Sequence, residues 1–413
     1  MPFFKVFFLF YLFTKVSSDT VTVSGQQILV NGEPFEANGA AGDVRFDLLK
    51  QLGGKVIRTY GDEIEQLIEP ASKYGLKIVA GFWLGQIGQG YVNYSSDTDK
   101  IRKEQLEKLE AFVNKYKNRS EILCWGIGNE VELGAKSQKE RISAWKGIEE
   151  AAKLVRKLDP NHPTMAVLAD VGRNGTVKKA TEFKYFAPSI QILGVNSYGP
   201  GLPTVVARAR EQGWNGPLIV AETGPLGHWQ AKPTSWGALI EPTSDKKATD
   251  LDKYMTDLKG KVQGTIIFYW GYKMEATPTW HSFLLPFNNN EYERTAEVLA
   301  SQWGGNLDNH APRINSLTFQ DGRNTNKWDK IETPKASLNV TDLDGDTITV
   351  LWSVLAESPF VVGANFTSTI TSPSNTEVSL NITSLATGGY RLYMFALDNK
   401  GAAATANLPF YVN

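Results

Sequence analysis

The sequence has very few of the residues that build disulfide frameworks and metal clusters. Among its 413 residues there is one cysteine, Cys124, and there are four histidines. A single cysteine excludes an intramolecular disulfide and any site with several cysteine ligands. The histidines stand singly at positions 162, 228, 281 and 310, without the short spacings of metal-binding motifs. The sequence therefore predicts no catalytic metal and no cofactor.

An excess of charge of either sign is also lacking. The chain has 43 Lys+Arg and 44 Asp+Glu, a formal net charge of -1. Because nucleic acids and anionic membranes are bound by basic surfaces, neither is expected as a partner. No apolar run approaches the roughly 20 residues that cross a bilayer, which predicts no membrane anchor. The 42% hydrophobic content is nevertheless sufficient for a large core.

The first 18 residues have the pattern of a secretory signal peptide. Lys5 precedes an apolar run at 6–13, and the small residues Ser17 and Ser18 lie before Asp19. Six Asn-x-Ser/Thr sequons agree with export; they begin at Asn93, Asn118, Asn174, Asn339, Asn365 and Asn381. We expect a secreted, extracellular and glycosylated protein with a mature chain that begins near Asp19.

Residues 19–304 alternate between short apolar runs and charged helical segments, which is typical of parallel βα units. The eight predicted strands are Phe35–Ala40, Lys55–Tyr60, Leu76–Trp83, Ile122–Glu130, Pro163–Ala169, Ile190–Tyr198, Pro217–Thr223 and Gly264–Gly271. Their number and spacing predict an α/β fold, a (β/α)8 TIM barrel, with a β-hairpin at 21–34 against its floor. An open doubly wound sheet is the alternative, although no Gly-rich phosphate loop follows the first strand.

The amino-acid composition of the chain changes after a linker at 305–312. Residues 313–413 are rich in Thr, Val, Ser and Asn and contain short strand-like runs. They predict a small all-β sandwich, of the immunoglobulin or cadherin-like kind. Asp342, Asp344 and Asp346 resemble the acidic turns of cadherin-like domains, some of which bind calcium; the same residues also suit an ordinary hairpin turn.

Two glutamates stand at the ends of predicted barrel strands. Glu130 follows Asn129 at the end of strand four, and Glu222 ends strand seven. The C-terminal strand ends of a (β/α)8 barrel form its active-site mouth. Since a carboxylate in an apolar strand is costly unless it is paired or used, the two predict a catalytic pair. Glycoside cleavage needs such a pair, one group as acid and one opposite the anomeric carbon.

The surrounding motifs resemble a known group of enzymes. The stretch Trp-Gly-Ile-Gly-Asn-Glu-Val at 125–131 is similar to the acid/base strand of the large clan of retaining glycoside hydrolases on (β/α)8 barrels. Ile-Val-Ala-Glu-Thr-Gly at 219–224 is similar to their nucleophile strand. The segment 28–39 resembles the start of the barrel in glycoside hydrolase family 2, and 56–61 resembles the second strand of family 17 β-1,3-glucanases.

This resemblance implies a role for each matching residue. Glu130 would be the general acid/base and Glu222 the nucleophile, with the pKa of Glu130 raised and that of Glu222 held low. Asn129 would donate to the sugar 2-hydroxyl, and Arg58 and Tyr198 would contact Glu222. Family 2 enzymes carry sandwich domains before the barrel. This chain enters the barrel almost at once, which disfavours an exo-acting galactosidase or glucuronidase.

Several tryptophans fall at or after the predicted strand ends, where sugar-stacking platforms lie; they are Trp83, Trp229, Trp270 and Trp280. The alternative is that they pack loops against the barrel. Trp270, which ends strand eight, is predicted to form the floor of the subsite for the cleaved sugar. Trp83 and Trp229 are predicted to bind substrate, and His228 and Glu275 are candidates for substrate contact or ordinary loop residues.

The sequence as a whole predicts a secreted retaining β-glycoside hydrolase that cleaves a β-linked poly- or oligosaccharide, with β-glucan favoured. One alternative is a β-glucan transglycosylase that uses the same carboxylates. Another is an exo-β-galactosidase or glucuronidase-like enzyme. The non-enzymatic alternative is a carbohydrate-binding matrix protein.

Overall fold

The computed structural model describes residues 19–89, 94, 96, 100–172, 177–322, 325–358 and 362–413. The predicted signal peptide at 1–18 and the sequons at Asn93 and Asn174 lie outside these residues. The other four sequon asparagines are exposed at the surface. Within the described ranges, no helix is both long enough and apolar enough to cross a bilayer.

The described chain begins with a small antiparallel sheet. Its strands are β1 (Val21–Ser24), β2 (Gln27–Val30) and β3 (Glu33–Pro34), in the order β1-β2-β3. The predicted hairpin therefore has a third short strand, because the chain turns at Gly25 as well as at Asn31-Gly32. All three turn residues have positive φ, which glycine and asparagine adopt at low cost. Val21 and Ile28 of this sheet pack against residues inside the barrel and close its floor.

Eight parallel strands form a closed barrel, as predicted. They are β4 (Gly39–Gly42), β5 (Val56–Arg58), β6 (Lys77–Phe82), β7 (Ile122–Asn129), β8 (Thr164–Leu168), β9 (Ile192–Asn196), β10 (Leu218–Thr223) and β11 (Thr265–Trp270). Closure excludes the open doubly wound sheet. The α-helices are α1 (Phe46–Gln51), α2 (Glu65–Tyr74), α3 (Lys100–Tyr116), α4 (Gln138–Leu158), α5 (Lys179–Phe186), α6 (Val205–Glu211), α7 (Ser244–Leu258) and α8 (Arg294–Trp303).

The barrel strands separate two apolar layers because successive side chains alternate between faces. Val56, Val79 and Cys124 belong to the interior cluster, which the N-terminal sheet completes. Their neighbours Ile57, Ile78 and Trp125 belong to the larger cluster shared with the helices. Burial raises the pKa of the Cys124 thiol to about 12, so this cysteine is a core residue without thiolate character.

The rest of the chain adds β-sheets, as expected in outline. A two-stranded sheet, β12 (Leu284–Leu285) and β13 (Glu291–Tyr292), precedes α8. Two four-stranded sheets follow, ordered β14-β16-β19-β18 and β15-β21-β20-β17. Their strands are β14 (Arg313–Phe319), β15 (Lys327–Trp328), β16 (Lys335–Thr341), β17 (Thr349–Ala356), β18 (Ile370–Thr371), β19 (Glu377–Leu380), β20 (Gly388–Leu397) and β21 (Ala403–Val412). Side chains from both sheets form one core.

The segment between barrel and sheets is tied down at several points. The backbone N–H of Ala311 donates to Glu297 (2.7 Å), and Asn309 Nδ2 donates to Asp398 (2.7 Å). In the acidic turn between β16 and β17, Asp342 Oδ1 accepts the backbone N–H groups of Asp344 and Asp346 at 2.9 and 3.0 Å. This carboxylate therefore has the ordinary turn role for which aspartate is favoured.

A polar network joins the sheets to the barrel. The buried Glu241 accepts from Lys247 Nζ (2.6 Å), from Thr277 Oγ1 (2.7 Å) and from Thr279 Oγ1 (2.8 Å). Asn407 of β21 donates to the same carboxylate at 2.7 Å, and Arg391 of β20 donates to the carbonyl of Leu239 at 2.6 Å. Thr277 and Thr279 lie in the loop after β11, so the network reaches the barrel mouth.

Candidate active site

The mouth of the barrel is formed by the C-terminal ends of its strands, and a bulge shapes it at the end of β7. The β7–β8 register shifts between Gly126 and Asn129, and Gly128 has φ 72°. Glu130 has φ 50°, a left-handed conformation that costs a residue with a Cβ about 1 kcal/mol or more. Its backbone N–H still donates to Val167 (2.8 Å). The bulge thereby places Asn129 and Glu130 together at the mouth.

Arg58, from the end of β5, links the two carboxylate-bearing strands. Its Nη2 donates to Asn129 Oδ1 at 2.7 Å. Its Nη1 donates to the carbonyl of Ala221 at 2.6 Å and lies 3.3 Å from Glu222 Oε1. The guanidinium is buried, with 3% of the residue exposed, so these bonds are made in a low-dielectric environment where they are strong. The planar fork of an arginine suits this three-way bridge.

Glu222, on β10, meets donors at both carboxylate oxygens. Arg58 faces Oε1, and the Tyr198 hydroxyl donates to Oε2 at 3.1 Å. The hydroxyl of Tyr60 is also buried beside this carboxylate; burial, and then the charge of Glu222, raises the pKa of Tyr60 well above its usual value. The same causes raise the pKa of Tyr198. Both phenols therefore stay protonated, and Tyr198 is the one that donates to Glu222.

Glu130 has a different environment. Its Oε1 accepts one hydrogen bond, from Asn196 Nδ2 at 2.8 Å. Burial, and then the negative charge of Glu222, raises the pKa of Glu130 to about 7, against an ordinary value of 4.5. A carboxyl with this pKa holds a proton near neutral pH and can deliver it, which is the requirement for a general acid.

The two glutamates face one cavity of about 1130 Å³. Its walls come from the loops after β7, β8, β9, β10 and β11; the lining includes Glu130, Asp170, Tyr198, Arg208, Glu222, Trp229, Phe268 and Glu275. Arg208 Nη2 lies 3.0 Å from Asp170 Oδ2, and its other donors reach Gly172, Gly201 and Thr204. This arginine is therefore fully engaged within the protein.

The aromatic predictions have mixed outcomes. Trp229 lines the cavity with 58% of its surface exposed and meets Tyr198 edge-on at 5.2 Å. Trp83 follows β6 and is half-buried, and it is not among the described residues that line the cavity. Trp280 is buried and donates to the carbonyl of Leu226 at 2.7 Å, which makes it a loop-packing residue.

The prediction for Trp270 is wrong. Its side chain is 0% exposed and belongs to the apolar layer between barrel and helices. The β11–β4 register shifts between Ile267 and Trp270, so the regular alternation fails at the end of the strand. Phe268, two residues earlier, faces the cavity instead.

A histidine pair lies beside this wall. His228 Nδ1 and His281 Nε2 are 3.2 Å apart, and Glu275 Oε1 lies 3.8 and 3.9 Å from the same two atoms. Burial lowers the pKa of His228 and lowers that of His281 to about 3, so both imidazoles are neutral. The ring of Trp229 stacks on His281 with centroids 6.1 Å apart.

Comparison with known proteins agrees with this architecture, although no protein-family model matches the chain. β-Glucuronidase from Sus scrofa is 27% identical over 203 residues, which cover 43% of this chain and 27% of that protein. Mannan endo-1,4-β-mannosidase F from Aspergillus clavatus is 24% identical over 197 residues, 37% of this chain and 44% of that protein. The chain is a homologue of these glycosidases. The aligned part spans less than half the length of either relative.

Solved structures of low identity share the fold. The β-D-glucuronidase of Dictyoglomus thermophilum superposes with a TM-score of 0.52 at 20% identity, over 70% of this chain and 54% of that one. β-Glucuronidase from Ruminococcus gnavus has a TM-score of 0.53 at 16% identity, over 70% and 53%. The homologues belong to the barrel clan that the strand-four and strand-seven motifs resemble.

The structure also adds site residues that were not predicted from the sequence. Asn196 ends β9 and bonds both Glu130 and Asn129, at 2.8 and 3.1 Å. Its position at a strand end was the available signal. Tyr60 follows β5 and stacks on the Arg58 guanidinium at 4.4 Å. Asp170 lies in the loop after β8 and Arg208 in α6, 38 residues later, so their pairing leaves no pattern in the sequence.

Proposed function

We propose that this protein is a secreted retaining β-glycoside hydrolase that cleaves O-glycosidic bonds of a β-linked poly- or oligosaccharide by double displacement. The observation that carries the proposal is the pair of unlike carboxylates at one cavity. Glu130 has a raised pKa of about 7, whereas Glu222 faces the Arg58 guanidinium and the Tyr198 hydroxyl. Two carboxyl groups in contrasting environments are the arrangement on which glycoside cleavage depends.

In the first step, Glu222 attacks the anomeric carbon while the carboxyl proton of Glu130 passes to the glycosidic oxygen. The C–O bond to the leaving sugar breaks, and an ester joins the remaining sugar to Glu222. In the second step, Glu130 takes a proton from water as the water oxygen attacks the same carbon, and the ester bond breaks. Asn129 uses its oxygen for Arg58 and Asn196, which leaves its amide N–H groups for the sugar 2-hydroxyl.

Charge in the cavity favours a neutral glycan over a glucuronide. Four of the lining residues are acidic, namely Glu130, Asp170, Glu222 and Glu275. Arg208 is the basic residue in the described lining, and Asp170 and backbone carbonyls occupy its guanidinium. The carboxylate of an incoming uronic acid would meet the negative charges of the described lining and find no free cation there. This repulsion would weaken its binding. Lys273, which lies 3.4 Å from Glu275 and 5.3 Å from the centre of the Phe268 ring, is a candidate for a uronate partner.

The size of the cavity favours a chain of sugars. Its volume of about 1130 Å³ exceeds the roughly 300–1,000 Å³ typical of pockets for single small molecules. Phe268 and the exposed Trp229 supply apolar faces of the kind on which sugar rings stack. We therefore propose a β-linked glucan or mannan as substrate. Export to the extracellular space remains part of the proposal, supported by the pattern at 1–18 and the exposed sequons.

The test is a screen of the purified protein against β-1,3-glucan, β-mannan, β-galactan, aryl β-glycosides and an aryl β-glucuronide. Glu222→Gln should abolish activity on every substrate that the wild type cleaves. Glu211→Gln, at the exposed end of α6, serves as the matched control and should keep full activity. NMR of the first product should show retained β configuration. Full activity of Glu222→Gln, or an inverted product, would contradict the mechanism.

Other outcomes separate the remaining candidates. Products longer than the substrate would identify a transglycosylase, since a sugar hydroxyl then replaces water in the second step. Cleavage of the glucuronide alone, with loss of activity in Lys273→Ala, would establish a glucuronidase and refute the charge argument. Binding on a glycan array without cleavage of any substrate would favour a carbohydrate-binding matrix protein.

A further inference from the structure

The histidine pair and Glu275 bring three ligand-type atoms together where two loops of the mouth meet. His228 lies in the loop after β10, whereas Glu275 and His281 lie in the loop after β11. The nitrogens are 3.2 Å apart, and the carboxylate oxygen is 3.8 and 3.9 Å from them. We propose that His228, His281 and Glu275 form a binding site for a transition-metal ion such as Zn²⁺, which joins these two loops.

The distances suit a tetrahedral ion. With Zn–N of about 2.0–2.1 Å and Zn–O of about 2.0–2.2 Å, two ligand atoms of a tetrahedral site lie about 3.3–3.5 Å apart. The nitrogen pair is already within about 0.2 Å of this separation. Glu275 would have to move inward by about half an ångström. Its side chain is 32% exposed and has room to do so.

The chemistry of the three groups also suits a metal. Two imidazoles with one carboxylate are a common ligand set for zinc and other divalent transition metals. His281 is 1% exposed, and its Nδ1 is buried without a hydrogen-bond partner among the described residues. No bond fixes the tautomer, so a proton can move to Nδ1 and leave Nε2 to bind the ion.

The two lysines near the proposed site are each paired with a carboxylate. Lys247 donates to Glu241 at 2.6 Å, within the polar network below the loop. Lys273 lies 3.4 Å from Glu275 Oε2, so it faces the oxygen that points away from the histidines. Glu275 lines the substrate cavity, which leaves the fourth coordination position open on that side. An ion here would fix the position of Trp229, which stacks on His281.

The spacing of the histidines does not indicate such a site, because 53 residues separate His228 from His281. For the same reason the sequence predicts no catalytic metal. The barrel brings the loops after β10 and β11 side by side because these strands are neighbours in the sheet. None of the three proposed ligands is one of the two glutamates at the mouth, so metal binding can be tested separately from the proposed hydrolase activity.

The test is a metal-binding measurement on the full chain. After treatment with EDTA and dialysis, titration with Zn²⁺ should show one equivalent bound per chain and a rise in Tm that EDTA reverses. Titration with Co²⁺ should give the visible absorption bands of a tetrahedral ion. His228→Ala and Glu275→Gln should each weaken Zn²⁺ binding by at least about 100-fold, since a lost ligand costs more than a lost supporting bond. His310→Ala, which removes a partly exposed linker histidine that contacts Asp344 of the acidic turn, is the matched control and should bind as the wild type does.

Two results would overturn the proposal. One is a wild-type protein that binds less than a tenth of an equivalent at saturating Zn²⁺ and whose Tm does not change. The other is Zn²⁺ affinity that is equal in the wild type, His228→Ala and Glu275→Gln, which would place the ion elsewhere. Circular dichroism of the variants distinguishes loss of a ligand from loss of the fold.

Discussion

Replacement of Glu130 by glutamine tests both its charge state and its role. The carboxyl is held in a site where burial and Glu222 raise its pKa to about 7. Glutamine has nearly the same shape and can keep the bond from Asn196 through its amide oxygen. The substitution therefore removes the titrating proton while changing little else. We expect the substitution to lower the activity of the protein and, at a pH above about 7, to raise the free energy of unfolding.

The size of both effects follows from the pKa. A carboxyl whose pKa is raised on folding favours the folded state while protonated, and this contribution is lost as the pH rises through the folded pKa. Between 4.5 and about 7, at 1.36 kcal/mol per pH unit, the loss amounts to about 3 kcal/mol as an upper limit. Glu130→Gln should recover up to this amount at pH 8. General acid catalysis contributes a factor of about 10²–10⁴, which the variant should lose.

The assays are chemical denaturation at pH 5 and pH 8, and kcat/KM across the same range. The wild type should lose activity above pH about 7 as Glu130 ionises, whereas the residual activity of the variant should lack this limb. An aryl glycoside with an acidic leaving group needs little proton donation, so the variant should retain more activity on it than on a glucan. A variant that is no more stable than the wild type at pH 8, or equally impaired on both substrates, would refute this account.

Three further predictions concern single side chains. Tyr198→Phe removes a donor to Glu222 and should lower kcat by about 10-fold or more, the equivalent of one hydrogen bond to a charged group; unchanged kcat would show that Arg58 suffices. Trp229→Ala should raise KM for polymeric substrate far more than for an aryl glycoside, in steady-state kinetics, because its exposed ring offers the cavity wall an apolar face for further sugar units. Glu293→Gln should raise Tm at pH 8 but not at pH 4, because burial raises the pKa of this carboxyl to about 7 and its ionised form opposes folding.

The barrel and the position of the two glutamates at its mouth were predictable because both follow local rules. Each of the eight strands is a short apolar run, and a strand-end position is enough to place Glu130 and Glu222 at the mouth. The contacts of Arg58 were foreseen in part: the link to Glu222 was expected, whereas the bond to Asn129 required knowledge of how β5 and β7 face each other.

The predictions that were wrong about strands share one physical cause, which is a departure from regular strand geometry. Trp270 was placed in the mouth on the assumption that strand alternation continues to the last residue, but the register shifts before it. The turn at Gly25 divides the predicted N-terminal hairpin into three strands. The histidine pair depends on loop conformations, which neither periodicity nor spacing encodes.

The Glu241 network links the C-terminal sheets to a wall of the barrel mouth. Asn407 holds the carboxylate that in turn holds Thr277 and Thr279, and these two residues flank the part of the mouth loop that leads to His281. Lys247 adds a bond to the carbonyl of Thr279 at 2.7 Å. The C-terminal sheets thus stabilise the loop that forms this part of the cavity wall. A barrel separated from them would keep its two glutamates but would lose the bonds that hold this wall.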